Sequence, residues 1–167
     1  MKRKISQLEK RFGKRGRKGY EGEQWLFKVL TESKQYDEVK DFTKEYFMQK
    51  SGIDGAVYKK TWGRSYYFDC KNNLIAKKDG SFLIYLEWTK AYGRPGWFRA
   101  AKADRIYHTN LKKKISIFYD LKQLRKVVRK LLKEKKIKVE TKGRYGQSYI
   151  LFSNRDKNFK DLLRFQY

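Results

Sequence analysis

Two stretches decide the reading of this chain: Ser51-Gly52-Ile53-Asp54-Gly55-Ala56-Val57 and, beyond a turn at Trp62-Gly63, Tyr67-Phe68-Asp69-Cys70-Lys71. β-Branched and aromatic residues flank the glycine break, so Ile53 to Lys60 and Arg64 to Lys71 are expected as the two strands of a hairpin. Side chains alternate along a strand, which puts residues two apart on one face. Asp69 and Lys71 therefore point the same way, and Phe68 and Cys70 enter the opposite layer. If Asp54 begins the neighbouring strand, a second carboxylate converges on that pair. Two carboxylates suit a hard divalent ion such as magnesium, which keeps waters and substrate phosphate in its shell.

Upstream, residues 1–19 carry nine Lys/Arg, one Glu and three glycines, the composition of a flexible basic arm. From Tyr20 the pattern turns helical, with Trp25, Leu26, Val29 and Leu30 on one stripe and Thr31-Glu32-Ser33 as a polar exit. Tyr36 to Lys50 has near-helical apolar spacing but no clear caps and is left unassigned. Downstream, Ser81 to Trp88 is a continuous apolar run, expected as a buried central strand. The loop Tyr92 to Trp97 holds the single proline, and Arg105 to His108 and Ile115 to Tyr119 are expected as short strands. Asp120 can cap a helix whose Leu121, Leu124, Val128 and Leu131 form one stripe opposite a Lys/Arg face. Strands at Ile137 to Thr141 and Tyr149 to Phe152, around a turn at Gly143–Gly146, lead to a short amphipathic tail.

The chain of 167 residues fits one compact domain, and 40% hydrophobic residues supply a core. Lys and Arg number 43 against 18 acids, a formal charge of +25. Self-repulsion on that scale is relieved by a polyanion, so nucleic acid is the expected partner. A surface of a heat-adapted protein would carry compensating glutamates, which are scarce here. No apolar run approaches the roughly 20 residues that span a bilayer, and the start of the chain lacks a signal-peptide core, so a cytoplasmic location is expected. One cysteine excludes an internal disulfide and clustered-cysteine zinc sites, and one histidine excludes mechanisms built on paired histidines.

Asp54, a hairpin and then Asp69-Cys70-Lys71 resembles the PD-(D/E)XK nuclease signature, in which an acid opening one strand is followed by an acid-any-Lys triplet in the next. The likeness covers the central third of the chain. Ile53 stands where the nominal motif has proline, and the triplet opens with Asp rather than Glu; neither change removes a metal ligand. Arg17-Lys18-Gly19-Tyr20-Glu21-Gly22-Glu23 is similar to the opening of archaeal-type Holliday junction resolvases, whose early helical glutamate joins the metal site; on that register the residue is Glu23. The loop Gly93–Trp97 with Lys102-Ala103-Asp104 resembles a pattern of phage-type restriction-like nucleases.

These resemblances imply a restriction-endonuclease-like α/β fold, a mixed central sheet flanked by helices, as a single nuclease domain over 20–167 behind the arm. They imply Mg²⁺, with Mn²⁺ as a substitute, held by Asp54, Asp69, the Cys70 backbone carbonyl and Glu23. Lys71 would orient or help deprotonate the attacking water, making Glu23, Asp54, Asp69 and Lys71 the catalytic set. DNA, branched by preference, would meet Arg15, Arg17, Lys18, Arg94, Trp97, Arg99 and Lys102, and a homodimer would act on it. A duplex-cutting or strand-degrading nuclease of a phage or restriction system is the nearest alternative. A non-catalytic nucleic-acid binder on the same scaffold is the other.

Each residue alone also has a structural reading. Asp54-Gly55 could be a turn, and Asp69 with Lys71 a surface ion pair worth under about 1 kcal/mol. Glu23 could serve only the helix dipole, and Glu87 is expected to pair with a nearby lysine. Cys70 is expected in the core and His108 as an ordinary strand-end residue. Trp97 could equally be a lid over the core.

Overall fold

The computed structural model describes residues 2–141 and 145–166, with side chains described for 17–141 and 145–165. A long helix α1 (Lys2–Glu32) leads into strand β1 (Glu38–Asp41), a short helix α2 (Tyr46–Lys50) and the hairpin β2 (Gly55–Lys59) and β3 (Arg64–Lys71). Next come β4 (Ile75–Ala76), β5 (Phe82–Thr89), the single turn α3 (Trp97–Ala100) and a second hairpin, β6 (Arg105–Asn110) and β7 (Ile115–Asp120). Helix α4 (Leu121–Lys133) precedes β8 (Glu140–Thr141), β9 (Ser148–Ser153) and β10 (Arg164–Gln166).

Six strands form a mixed sheet in the order β1-β2-β3-β6-β7-β10, antiparallel except where β3 runs parallel to β6. The remaining four make a separate antiparallel sheet, β4-β5-β9-β8. Leu26 and Leu30 of α1 pack on one face of the mixed sheet against Val57, Phe68, Cys70 and Tyr107. Its other face puts Ile106, Ile117 and Tyr119 into a larger core shared with Ile84, Leu86 and Ile150 of the second sheet and with Leu121, Leu124, Val128 and Leu131 of α4. Full burial of each such side chain contributes about 1.5–3 kcal/mol. The C-terminal half of β3 is thus clamped from both sides, with Phe68, Asp69 and Cys70 all buried.

Several expectations are corrected. The helix expected from Tyr20 begins at Lys2 and runs through the boundary drawn between arm and domain. Gly22 within it is demanded by packing: a Cβ there would lie 2.7 Å from the Asn72 Cβ and 3.0 Å from the Thr109 hydroxyl. The Ser81–Trp88 run belongs to the second sheet rather than to the mixed one. Ile84 and Leu86 alternate with half-exposed Leu83 and Tyr85, and apolar residues on the outer face hide the period of two. The unassigned Tyr36–Lys50 segment divides into β1 and α2, and the strand expected from Ile137 shrinks to Glu140–Thr141. Asp120 caps α4 as expected, its carboxylate accepting from the Gln123 N–H at 2.8 Å.

Candidate active site

Strands β2 and β3 pair with Gly55 opposite Phe68, where the paired register ends, and the preceding Asp54 N–H also donates to the Phe68 carbonyl at 2.8 Å. Asp54 therefore stands at the entry to β2, beside the end of β3 that carries Asp69 and Lys71, its carboxylate reached by the Cys70 N–H. The turn reading of Asp54-Gly55 does not hold. Gly55 sits in the strand because a Cβ would come within 2.6 Å of the Phe68 ring and 2.7 Å of Phe27 on α1. Absence of a side chain at this position lets the helix close on the sheet beside Asp54.

The Asp54 carboxylate is fixed by two donors: the Cys70 N–H reaches Oδ2 at 2.7 Å and the Gln49 amide reaches Oδ1 at 3.0 Å. Asp69, 1% exposed, accepts the Lys71 ammonium on Oδ1 at 2.6 Å. Its other oxygen, Oδ2, is buried with no hydrogen-bond donor. Lys71 keeps 26% of its side chain exposed, so the ion pair opens to solvent on the lysine side. This is a half-buried pair beside a second acid, unlike the exposed pair of the structural reading.

The electrostatics follow from crowding acids in a dry place. Burial, reinforced by Asp54 and opposed by Lys71, raises the Asp69 pKa to about 8. Burial, then the Asp54 charge, raises Glu23 on α1 to about 7, against the pull of Lys71. Burial works against the Lys71 charge, but Asp69 and Asp54 outweigh it and hold its pKa above the ordinary lysine value. Glu23, Asp54, Asp69 and Lys71 thus form one interacting group, assembled from α1, the start of β2 and the end of β3.

Beneath the group lies a buried polar relay. His108, opposite Lys71 in the β3–β6 pairing, is wholly buried. Its Nδ1 is 2.5 Å from the Asn73 Oδ1 and its Nε2 is 2.6 Å from the Tyr119 hydroxyl. The amide oxygen can only accept, so Nδ1–H donates to Asn73 and Nε2 accepts from Tyr119. Burial, with Lys71 adding, lowers the His108 pKa to about 3 and keeps the ring neutral. His108 is more than the ordinary strand-end residue expected. The Trp97 ring stands 5.5 Å from this imidazole and 5.8 Å from the Lys71 ammonium. With Gln49, Lys50, Asp69, Lys71 and Lys90 it borders a cavity of about 190 Å³. Glu87, expected to pair with a lysine, instead accepts from the Trp97 N–H at 3.1 Å and fixes the turn that presents the indole.

The remaining expected residues divide. Arg94, Arg99 and Lys102 are exposed, and the Lys102 N–H donates to Ser51 at 3.0 Å, beside the loop bordering the cavity. Lys18 is exposed, and Arg17 pairs with Glu21 at 2.8 Å. The Arg15 side chain lies outside the described residues. Cys70 packs in the core as expected, and burial pushes its thiol well above the ordinary range, which removes it as a nucleophile. Gln49, Asn73 and Tyr119 were not anticipated. Tyr46 and Phe47, on the same short helix as Gln49, are 70% and 80% exposed and pack edge to face on each other.

Among the described residues no three His, Cys, Asp or Glu side chains converge as a complete metal cage. Magnesium is held by one or two carboxylates plus waters, so a full cage is not required. The buried, donorless Oδ2 of Asp69 is the kind of atom a cation would satisfy. The donor set fits a hard divalent ion.

No family model matches the sequence, and no curated protein matches it. Among solved structures the chain is similar to that of a bacterial homing endonuclease, I-Ssp6803I, at 12% identity and a TM-score of 0.45, over 84% of this chain and 79% of that one. A likeness this loose decides nothing about the reaction.

Proposed function

We propose that the protein is a Mg²⁺-dependent DNA endonuclease of the PD-(D/E)XK type, with Mn²⁺ able to substitute. The observation that carries the reading is the Asp69 carboxylate, one oxygen bound by Lys71 and the other buried and donorless, with the Asp54 carboxylate held beside it by the Cys70 N–H. Asp54, Asp69, the Cys70 carbonyl and Glu23 would hold the ion. When bound, magnesium supplies a Lewis acid for the scissile phosphate and lowers the pKa of a water.

The chain's own groups do the rest. The Cys70 N–H and the Gln49 amide keep the Asp54 carboxylate from turning away. Lys71, which donates to Asp69 at 2.6 Å, orients a water and offsets the negative charge that builds on the phosphorane. Trp97 closes one wall and limits water around the ammonium. The basic surface, with exposed Arg94, Arg99 and Lys102 on the segment that carries Trp97, holds the DNA backbone. The similarity of Arg17–Glu23 to junction resolvases favours branched DNA and a two-fold homodimer.

The test uses labelled four-way junction, duplex and single-stranded DNA, each with Mg²⁺ and with EDTA. Cutting in Mg²⁺ alone, fastest on the junction, is expected. Cutting of duplex first would move the protein to the restriction or phage type. Binding in both conditions without cutting would leave a non-catalytic nucleic-acid binder.

A further inference from the structure

A second concavity lies across α3 from the candidate active site. Its volume is about 390 Å³, and it is lined by Trp88, Phe98, Arg99, Arg125 and Arg129. On the single turn of α3 and the Ala101 that ends it, Trp97, Ala100 and Ala101 border the active-site cavity, whereas Phe98 and Arg99 border this one. That division follows the helical spacing, residues three and four apart sharing a side.

Three guanidinium groups meet here without an acid. Among the described residues no salt bridge reaches Arg99, Arg125 or Arg129. Arg125 is held in place, donating from Nε to the Phe98 carbonyl and from Nη2 to the Ala101 carbonyl, both at 2.8 Å. The Arg99 guanidinium lies 5.4 Å from the centre of the Trp88 ring. Arg129 follows Arg125 by one turn of α4 and is exposed. Burial, then Arg129, hold the Arg125 pKa below the ordinary arginine value, a sign that the two cations repel.

We infer that this concavity is a phosphate-binding site that takes a backbone phosphate of the nucleic-acid strand leaving the active site over α3. Planar guanidinium forks match phosphate oxygens in pairs, and an anion would relieve the repulsion that now has no partner. Proximity of the two cavities on one helical turn favours a strand phosphate over a free anion. The inference rests on the nucleic-acid reading proposed above but not on catalysis.

Its test is equilibrium binding of a fluorescent DNA duplex in EDTA at several salt concentrations, for the wild type, the R99A/R129A variant and the K122A/K126A variant. The last removes the same charge from exposed positions of α4 that do not line the concavity. R99A/R129A is expected to bind about tenfold more weakly at moderate salt, with the slope of log K against log salt shallower by roughly 1 to 2. K122A/K126A is expected to change the slope by less than half of that. Equal losses in the two variants would overturn the site while leaving DNA binding intact. Saturable binding of inorganic phosphate that depends on Arg99 and Arg129, with DNA affinity unchanged, would overturn it in favour of a free-anion pocket. No DNA binding by the wild type would overturn both the site and the reading beneath it. Both arginines are exposed, and R129E provides a single-site check expected to weaken binding at least as much as R99A/R129A.

Discussion

Replacing Asp69 by asparagine should make the cation-free protein more stable, although it removes an ion pair. An acid whose pKa is higher in the folded than in the unfolded chain makes the folded state the stronger proton binder between the two values. Stability then falls as pH rises through that interval, here from the ordinary 3.8 to about 8. The span is about four pKa units, and at 1.36 kcal/mol each the ceiling is roughly 6 kcal/mol at pH 8. Asparagine must still bury an amide beside Lys71 and forfeits the 2.6 Å bond, so a net gain of about 3 kcal/mol is a reasonable magnitude. For a chain of this size that is about 6–12 °C in Tm. Thermal melts in EDTA from pH 4 to pH 8 should show the Asp69→Asn protein below the wild type near pH 4, gaining on it steadily as pH rises and ahead of it at pH 8. Equal Tm values at every pH, or a variant less stable at pH 8, would refute the claim that Asp69 is a carboxylate held against its solvation.

Cation binding should reverse the same penalty. Mg²⁺ should raise the wild-type Tm at pH 8 and have little effect at pH 5, and calorimetry in two buffers should detect proton release, because Asp69 at about 8 and Glu23 at about 7 must ionise. Glu23→Gln should reduce the protons released near pH 7 and weaken Mg²⁺ binding. Gly55→Ala should destabilise the fold by roughly 1–3 kcal/mol, read from urea midpoints, since the new methyl would collide with Phe27 and Phe68. Gln49→Ala frees one oxygen of Asp54 and should lower the cleavage rate about tenfold or more with DNA affinity in EDTA nearly unchanged.

The site was legible in the sequence wherever a short period governed it. Asp69 and Lys71 share a face because strands alternate, and Asp54 comes near them because it enters β2 where the hairpin ends, next to the Cys70 N–H. The α4 stripe and its Asp120 cap were legible for the same local reason. What local pattern could not carry was partnership between distant segments. Nothing around His108 shows that Asn73 and Tyr119 will enclose it. Gln49 gains its role only because α2 folds back over Asp54. The apolar run of β5 looked like a strand buried on both faces, because Leu83 and Tyr85 fill an outer face that more often carries polar residues. Glycines at 13, 16 and 19 suggested an arm where the chain continues as helix. Gly22, which reads as one more breaker, is required by the close approach of that helix to Asn72.

The central claim is that Asp69 and Lys71 act in phosphodiester cleavage rather than in folding or simple DNA attachment. One measurement addresses it most directly: Mg²⁺-dependent cleavage of labelled four-way junction and duplex by the wild type, Asp69→Asn and Lys71→Ala, paired with DNA binding in EDTA by the same three proteins. Loss of about three orders of magnitude or more in cleavage rate, with affinities within a few-fold of the wild type, is the predicted result, in line with removing a principal charge-stabilising group. Cleavage retained in either variant, or affinity lost together with cleavage, would contradict it.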